Sequence, residues 1–122
     1  MSLYINKYRQ IDLSKRLKES IAMKLKHPHR CPLIVGKLDT DKSVPDIEKN
    51  KYLVPFDLTM AQFLYIIRKN IKLSHEQALF LFINNQIVTP QSLIGSIHEE
   101  YKHDDGFLYV IYAGENTFGF GL

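Results

Sequence analysis

Thr59-Met60-Ala61-Gln62 starts a helix between two pairs of short strand signals, and this placement limits the folds open to the chain. The Thr59 hydroxyl can accept from the third helical N–H while Gln62 reaches back to the cap. The spacing predicts a helix to about Ile71, with Met60, Phe63, Ile67 and Ile71 on one face. Leu64, Tyr65 and Ile66 add apolar surface beyond that face, so part of the helix is available to line a groove. Upstream, Cys31–Leu38 reads as a strand, its Leu33-Ile34-Val35 run suiting burial on both faces. A polar connection over 39–48 leads to a second strand at Tyr52-Leu53-Val54, which Pro55 ends. Downstream, Ser74–Gln77 is a second capping-box match worth one short turn, and Ala78–Ile83 is a strand followed by an Asn84-Asn85 turn. Residues 91–101 read as a modest helix and Phe107–Tyr112 as the last strand.

A hairpin, a helix crossing it, and a last strand returning parallel to the first define an α+β chain with a four-stranded β-grasp sheet. Ahead of this core, Leu13, Leu17, Ile21 and Leu25 recur at i+4 and form one apolar stripe on a helix over 13–26. Lys15, Lys18, Lys24 and Lys26 occupy its other faces, and Pro28 stops it at about His27. A short helical turn at 3–9 precedes it. The organisation expected is a helical extension at 1–27, a core at 28–112 and a mobile tail at 113–122, where GENTFGFGL lacks a core-forming pattern.

Composition narrows the function. A chain of 122 residues, 45% hydrophobic and 24% charged, suits one globular domain. The longest apolar run, Ala78–Ile83, is far short of the roughly 20 residues of a membrane span, and MSLYINKYRQ lacks the apolar stretch of a secretory leader. One cysteine excludes an internal disulfide and suits a reducing compartment. Residues 1–37 carry nine basic side chains against Asp12 and Glu19, whereas the remainder is net acidic. That asymmetry suits either a solvated helix face or an acidic partner. Nucleic acid is not expected, because no stretch interleaves aromatics with Arg as a stacking platform would.

Catalytic signatures are absent: there is no phosphate-binding glycine loop, nucleophile elbow or H-E-x-x-H. His27-Pro28-His29-Arg30-Cys31 alternates possible metal ligands but lacks a fourth and contains a cation, so no metal is expected. Cys31 lies beside His27, His29 and Arg30, which favours a thiolate, yet it heads an apolar strand before a proline, which favours a packed thiol. The chain is therefore expected not to be an enzyme and to need no cofactor.

The run Lys49-Asn50-Lys51-Tyr52-Leu53-Val54-Pro55, with Asp57-Leu58-Thr59, Gln62-Phe63 and Ile67-Arg68-Lys69, resembles the autophagy-related ubiquitin-like modifiers, the GABARAP and microtubule-associated light chain three family. Ile83-Asn84-Asn85, Asp105-Gly106-Phe107-Leu108-Tyr109 and Gly114-Glu115-Asn116-Thr117-Phe118-Gly119 carry the same resemblance, which extends from about Leu13 to Gly119. Departures are Gly36 at a usually acidic position, Cys31 for Val or Ile, His27 for Tyr, His29 for Asp and Met23 for Ile.

The resemblance implies a ubiquitin-like fold with two added N-terminal helices, and two working surfaces. One is a groove for peptides with an aromatic-x-x-aliphatic core, found on cargo receptors and adaptors. Its aromatic pocket would be lined by Glu19, Met23, Pro32, Lys51, Leu53 and Phe107. Its aliphatic pocket would be lined by Tyr52, Val54, Pro55, Leu58, Phe63 and Ile66. Residues 50–54 would be an edge strand that a peptide extends, and Arg30, Lys49, Lys51 and Arg68 would attract acidic residues beside the peptide core.

The other surface is the tail. A cysteine protease would cut after Phe118-Gly119, or alternatively after Gly121, and activating and transfer enzymes would join the glycine to phosphatidylethanolamine. The protein would then be cytoplasmic, and on autophagosomal or related membranes once lipidated. A binding-only module, a nucleic-acid-binding domain and a Cys31 thiol enzyme are the rival readings.

Overall fold

The computed structural model describes residues 2–115. Two helices lead, α1 (Leu3–Tyr8) and α2 (Leu13–Lys26), followed by β1 (Arg30–Lys37), β2 (Lys51–Pro55) and α3 (Met60–Asn70). The chain continues through β3 (Phe80–Ile83), β4 (Gln86–Ile87), α4 (Ile94–Tyr101) and β5 (Leu108–Ala113). The sheet order is β2-β1-β5-β3-β4, with β1 and β5 parallel at the centre and the other pairs antiparallel. This is the expected α+β ubiquitin-like arrangement with one strand more. Asn84 and Asn85 both take positive φ (51° and 62°), the geometry of a two-residue hairpin turn, and the turn folds Gln86-Ile87 back onto β3.

The doubly apolar β1 is explained by what covers each face. Cys31, Leu33 and Val35 join Phe63 and Ile67 of α3 in the main core, while Ile34 joins Ile5 and Tyr8 of α1 in a second one. Gly36 lets α1 sit close: a Cβ there would lie 2.0 Å from the Ser2 Oγ. The Thr59–Gln62 capping box forms, with Gln62 N–H donating to Thr59 Oγ1 (3.1 Å) and Thr59 N–H to Gln62 Oε1 (2.9 Å). Met60, Phe63, Ile67 and Ile71 are buried as the spacing requires.

Other expectations shift. Strand β3 begins at Phe80 rather than Ala78, and α4 at Ile94 rather than 91. Ser74–Gln77 does form the one short turn expected. The connection over 39–48 is not wholly polar in role, since Val44 and Ile47 are buried in the core and Tyr112 Oη donates to Pro45 O at 2.7 Å. Ala113, expected to open the tail, is the buried last residue of β5, and Gly114 N–H donates to Asp41 Oδ2 at 2.7 Å. The tail expected beyond Glu115 lies outside the described residues.

Helix α2 has the bounds and the apolar stripe expected, but it docks by another face. Its stripe of Leu13, Leu17, Ile21 and Leu25 faces solvent, at 47%, 37%, 48% and 78% exposure. The buried residues are polar: Arg16 and Ser20. Arg16 Nη1 meets Asp105 Oδ2 at 2.6 Å, Arg16 Nε donates to Ile11 O at 2.9 Å, and Ser20 Oγ donates to Asp105 O. Gly106, at φ +84°, passes so close that a Cβ would lie 2.5 Å from Ser20 Oγ. A hydrogen-bonded ion pair therefore fastens the helix, and the apolar stripe stays on its outer side.

Candidate functional site

Of the sheet's two edges, β4 is two residues long and β2 is five. The hydrogen-bonding phase of β2 follows from its neighbours. Val35 N–H donates to Asn50 O (2.7 Å), and Phe56 N–H donates to His29 O (3.2 Å). In an antiparallel pair, bonded positions alternate. Tyr52 and Val54, opposite Leu33 and Cys31, thus bond to β1, whereas Lys51 and Leu53 turn their backbone N–H and C=O outward. Pro32, which has no N–H, stands opposite Leu53 at a non-bonded position, so the β1–β2 ladder loses no bond by it.

The same alternation sorts the side chains. Lys51 and Leu53 lie half-buried toward the α1–α2 layer, while Tyr52 and Val54 are buried with Phe63 in the main core. Two sets of candidate residues therefore flank one strand, each on its own face.

On the α1–α2 side, Glu19, Met23, Lys51 and Leu53 reach the surface, and Pro32 and Phe107 are buried. Phe107 does not line an open pocket as expected. Tyr8 covers it edge-on, with ring centroids 5.8 Å apart at 90°. Tyr8 is held there by its hydroxyl, which donates to Glu19 Oε1 (2.5 Å), and by Lys51 Nζ, 4.9 Å above its ring. Lys51 Nζ also pairs with Glu19 Oε2 at 2.7 Å. Burial works to raise the Glu19 carboxyl, but hydrogen bonds from Lys51 and Tyr8 outweigh it and hold Glu19 below the ordinary range. The Tyr8 phenol is pushed far up by burial and by its Glu19 neighbour. Sequence reasoning missed Tyr8. Its only signal was the Tyr4/Tyr8 spacing in α1, and those two rings are stacked 6.2 Å apart.

On the α3 side, Pro55 is exposed and Leu58 and Ile66 are half-buried, so these three present an apolar surface. Tyr52, Val54 and Phe63 form its buried backing and do not line it directly. Asn70 Nδ2 donates to Tyr52 Oη at 2.6 Å, and the Tyr52 and Phe63 rings meet edge-on at 5.6 Å.

The four candidate cations are not equivalent. Arg30 is exposed at the start of β1, and Lys49 Nζ sits 4.9 Å over the Tyr52 ring. Lys51 is paired with Glu19, and Arg68 Nη1 donates to Ser74 O (3.1 Å) and Gln77 O (2.7 Å). Of the His27/His29/Cys31 cluster, both histidines are exposed and Cys31 is buried. Burial raises the Cys31 thiol, with Lys24 only partly opposing, which favours the packed thiol over the thiolate.

A β-grasp sheet with two helices on its second face defines a ubiquitin-like protein, here with an open five-residue edge. Comparison with known proteins narrows this class. A family model described as "Autophagy protein Atg8 ubiquitin like" matches residues 15–119. Autophagy-related protein 8b of Arabidopsis thaliana is 50% identical over 107 residues, covering 88% of this chain and 87% of that protein. Autophagy-related protein 8A of Oryza sativa subsp. indica is 53% identical over 108 residues, covering 88% and 89%. The crystal structure of Trypanosoma brucei ATG8 aligns with a TM-score of 0.82 at 32% identity, covering 88% of this chain and 92% of that one. The chain belongs to the Atg8 family of ubiquitin-like autophagy proteins. Its class is that of the ubiquitin-like autophagy modifiers.

Proposed function

We propose that this protein is a lipid-conjugated modifier that recruits partners bearing an aromatic-x-x-aliphatic core to autophagic membranes. The observation that carries the recruiting half is the outward phase of Lys51 and Leu53 on the β2 edge. An extended peptide can pair with those two residues, placing one anchor on the Met23/Leu53 side and the other on the Leu58/Ile66 side. Two anchors burying about 300 Å² contribute roughly 7 kcal/mol gross at 25 cal/mol/Å². Association costs several kcal/mol and strand hydrogen bonds restore some, so affinities of about micromolar are expected. Arg30 and Lys49 supply the attraction for acidic flanks, with Lys51 and Arg68 in support.

The conjugating half rests on the resemblance of the tail. A cysteine protease cuts after Gly119, with Gly121 as the alternative, and activating and transfer enzymes carry the new carboxylate to phosphatidylethanolamine. A glycine terminus suits this route because no Cβ obstructs a narrow active site. Two acyl chains then anchor the protein stably where one would hold it weakly. The conjugated form sits on autophagosomal or related membranes and the free form in the cytoplasm.

Reconstitution with the family's protease, activating and transfer enzymes and phosphatidylethanolamine vesicles tests this reading. Gly119→Ala is expected to block cleavage and lipidation while peptide binding persists. Lipidation of Gly119→Ala but not of Gly121→Ala moves the site to Gly121. Normal lipidation of both contradicts conjugation, and the chain is then a binding-only module.

A further inference from the structure

Helix α2 leaves an exposed apolar face. Leu13, Leu17, Ile21 and Leu25 lie along one side over roughly 20 Å of helix, at 1.5 Å per residue. The helix does not need them to dock, since Arg16 and Ser20 perform that role. Its other cations lie around the stripe, except Lys24, which helical geometry places within it rather than on another face as expected. Arg16 is paired with Asp105, whereas Lys15, Lys18, Lys24 and Lys26 are exposed, Lys24 also donating to Arg30 O at 3.2 Å. At 100° per residue, Lys24 falls within the stripe, Lys18 borders it, and Lys15 and Lys26 stand further round the solvent side. Acidic residues stand at the other margin, Glu99 beside Lys24, and Glu100 and Asp104 beside Leu13.

We propose that α2 is an interfacial membrane-binding helix that lays this stripe on anionic phospholipid. Leucines and isoleucine on one side with lysines at the border suit the headgroup boundary, where the apolar side chains enter and the ammonium groups reach lipid phosphates. A second copy of the chain suits the face less well, because pairing two stripes brings eight lysine charges to one seam. The stripe is also the convex outer side of one helix, which a flat lipid surface covers without needing walls. Glu19 lies on the side of α2 roughly opposite Ile21, so a membrane on the stripe leaves the β2 edge free.

The inference does not depend on tail conjugation or on peptide binding. Its test is flotation of the unconjugated full chain with phosphatidylcholine vesicles, with and without phosphatidylserine, across a salt series. The wild-type chain is expected to float with the anionic vesicles and to release as salt rises. The Leu17→Gln/Ile21→Gln/Leu25→Gln variant is expected to bind at least about tenfold more weakly. Lys15→Glu/Lys18→Glu/Lys24→Glu is expected to lose the preference for phosphatidylserine. The glutamine variant should keep the wild-type melting temperature and peptide affinity, because its changed residues are exposed and away from the edge. A wild-type chain that ignores anionic vesicles at low salt overturns the proposal, as does undiminished flotation of the glutamine variant. Concentration-dependent dimers in sedimentation velocity that the glutamine variant abolishes, with no vesicle binding, reassign the face to a second copy and also overturn it.

Discussion

Arg16 Nη1 lies 2.6 Å from Asp105 Oδ2, and the two side chains are 10% and 0% exposed. The pair joins α2 to the turn before β5. Asp105 is further bound by Phe107 N–H (2.9 Å) and the Tyr109 hydroxyl, so its charge is fully engaged. Arg16→Ala strands a buried carboxylate and should cost about 3 kcal/mol in urea unfolding. Its neighbour Leu17 points to solvent, and Leu17→Ala should stay within about 0.5 kcal/mol of wild type. The reverse order would mean that the helix docks by its leucines.

Gly106 answers two demands at once: a φ of +84° and close passage of Ser20. Gly106→Ala should lose about 2 kcal/mol, because strain and clash act together. Stability equal to wild type would show that the turn can relax and that α2 is less tightly placed.

Stability should fall on mild acidification. His98 is buried and its Nε2 donates to Gly106 O at 2.8 Å, so the neutral ring is the folded form. Burial pushes its pKa down against the help of that hydrogen bond, and burial likewise lowers His103. A histidine lowered in the folded state binds more protons when unfolded. Its stabilising contribution is therefore full above about pH 6.5 and is lost progressively as pH falls through that value toward the folded pKa. Glu19 and Asp41, held low by hydrogen bonds that outweigh burial, add a second loss beneath about pH 4.5. Urea titrations at several pH values should show stability decreasing from neutral pH to about 5, with a shallower slope in His98→Gln. A flat profile over that window would contradict the buried neutral imidazole.

The Glu19–Lys51 pair restrains the charge offered to a peptide. Glu19→Gln removes the carboxylate that neutralises Lys51 and holds Tyr8, so peptides with an acidic residue before the aromatic should bind roughly two- to fivefold tighter at low salt. High salt should erase the gain. Isothermal titration of acidic and neutral versions of one peptide checks it, and equal change for both versions would contradict the electrostatic cause.

Local rules made much of this fold legible. The capping box at Thr59, the proline after His27 and the paired asparagines each act through backbone geometry within a few residues, and the helices and turn fall where they indicate. The doubly apolar β1 likewise announced layers on both sides. How α2 docks was not legible, because periodicity reports which residues share a side but not which side meets the protein. An ion pair spanning 89 positions made that choice, and no local pattern marks it. The candidate pocket residues were named from the resemblance alone. Their division into surface and backing was not legible, because it depends on strand phase against β1 and on Tyr8 folding over Phe107.

The most direct test of the account is amide hydrogen exchange along β2, free and with an aromatic-x-x-aliphatic peptide. Tyr52 and Val54 amides, already bonded to β1, should be slow in both states. Lys51 and Leu53 amides face outward and should exchange quickly alone, then slow by at least about tenfold when the peptide supplies acceptors. Unchanged exchange at Lys51 and Leu53 in a saturated complex, or new protection confined to another surface, would contradict the claim that this edge receives the partner.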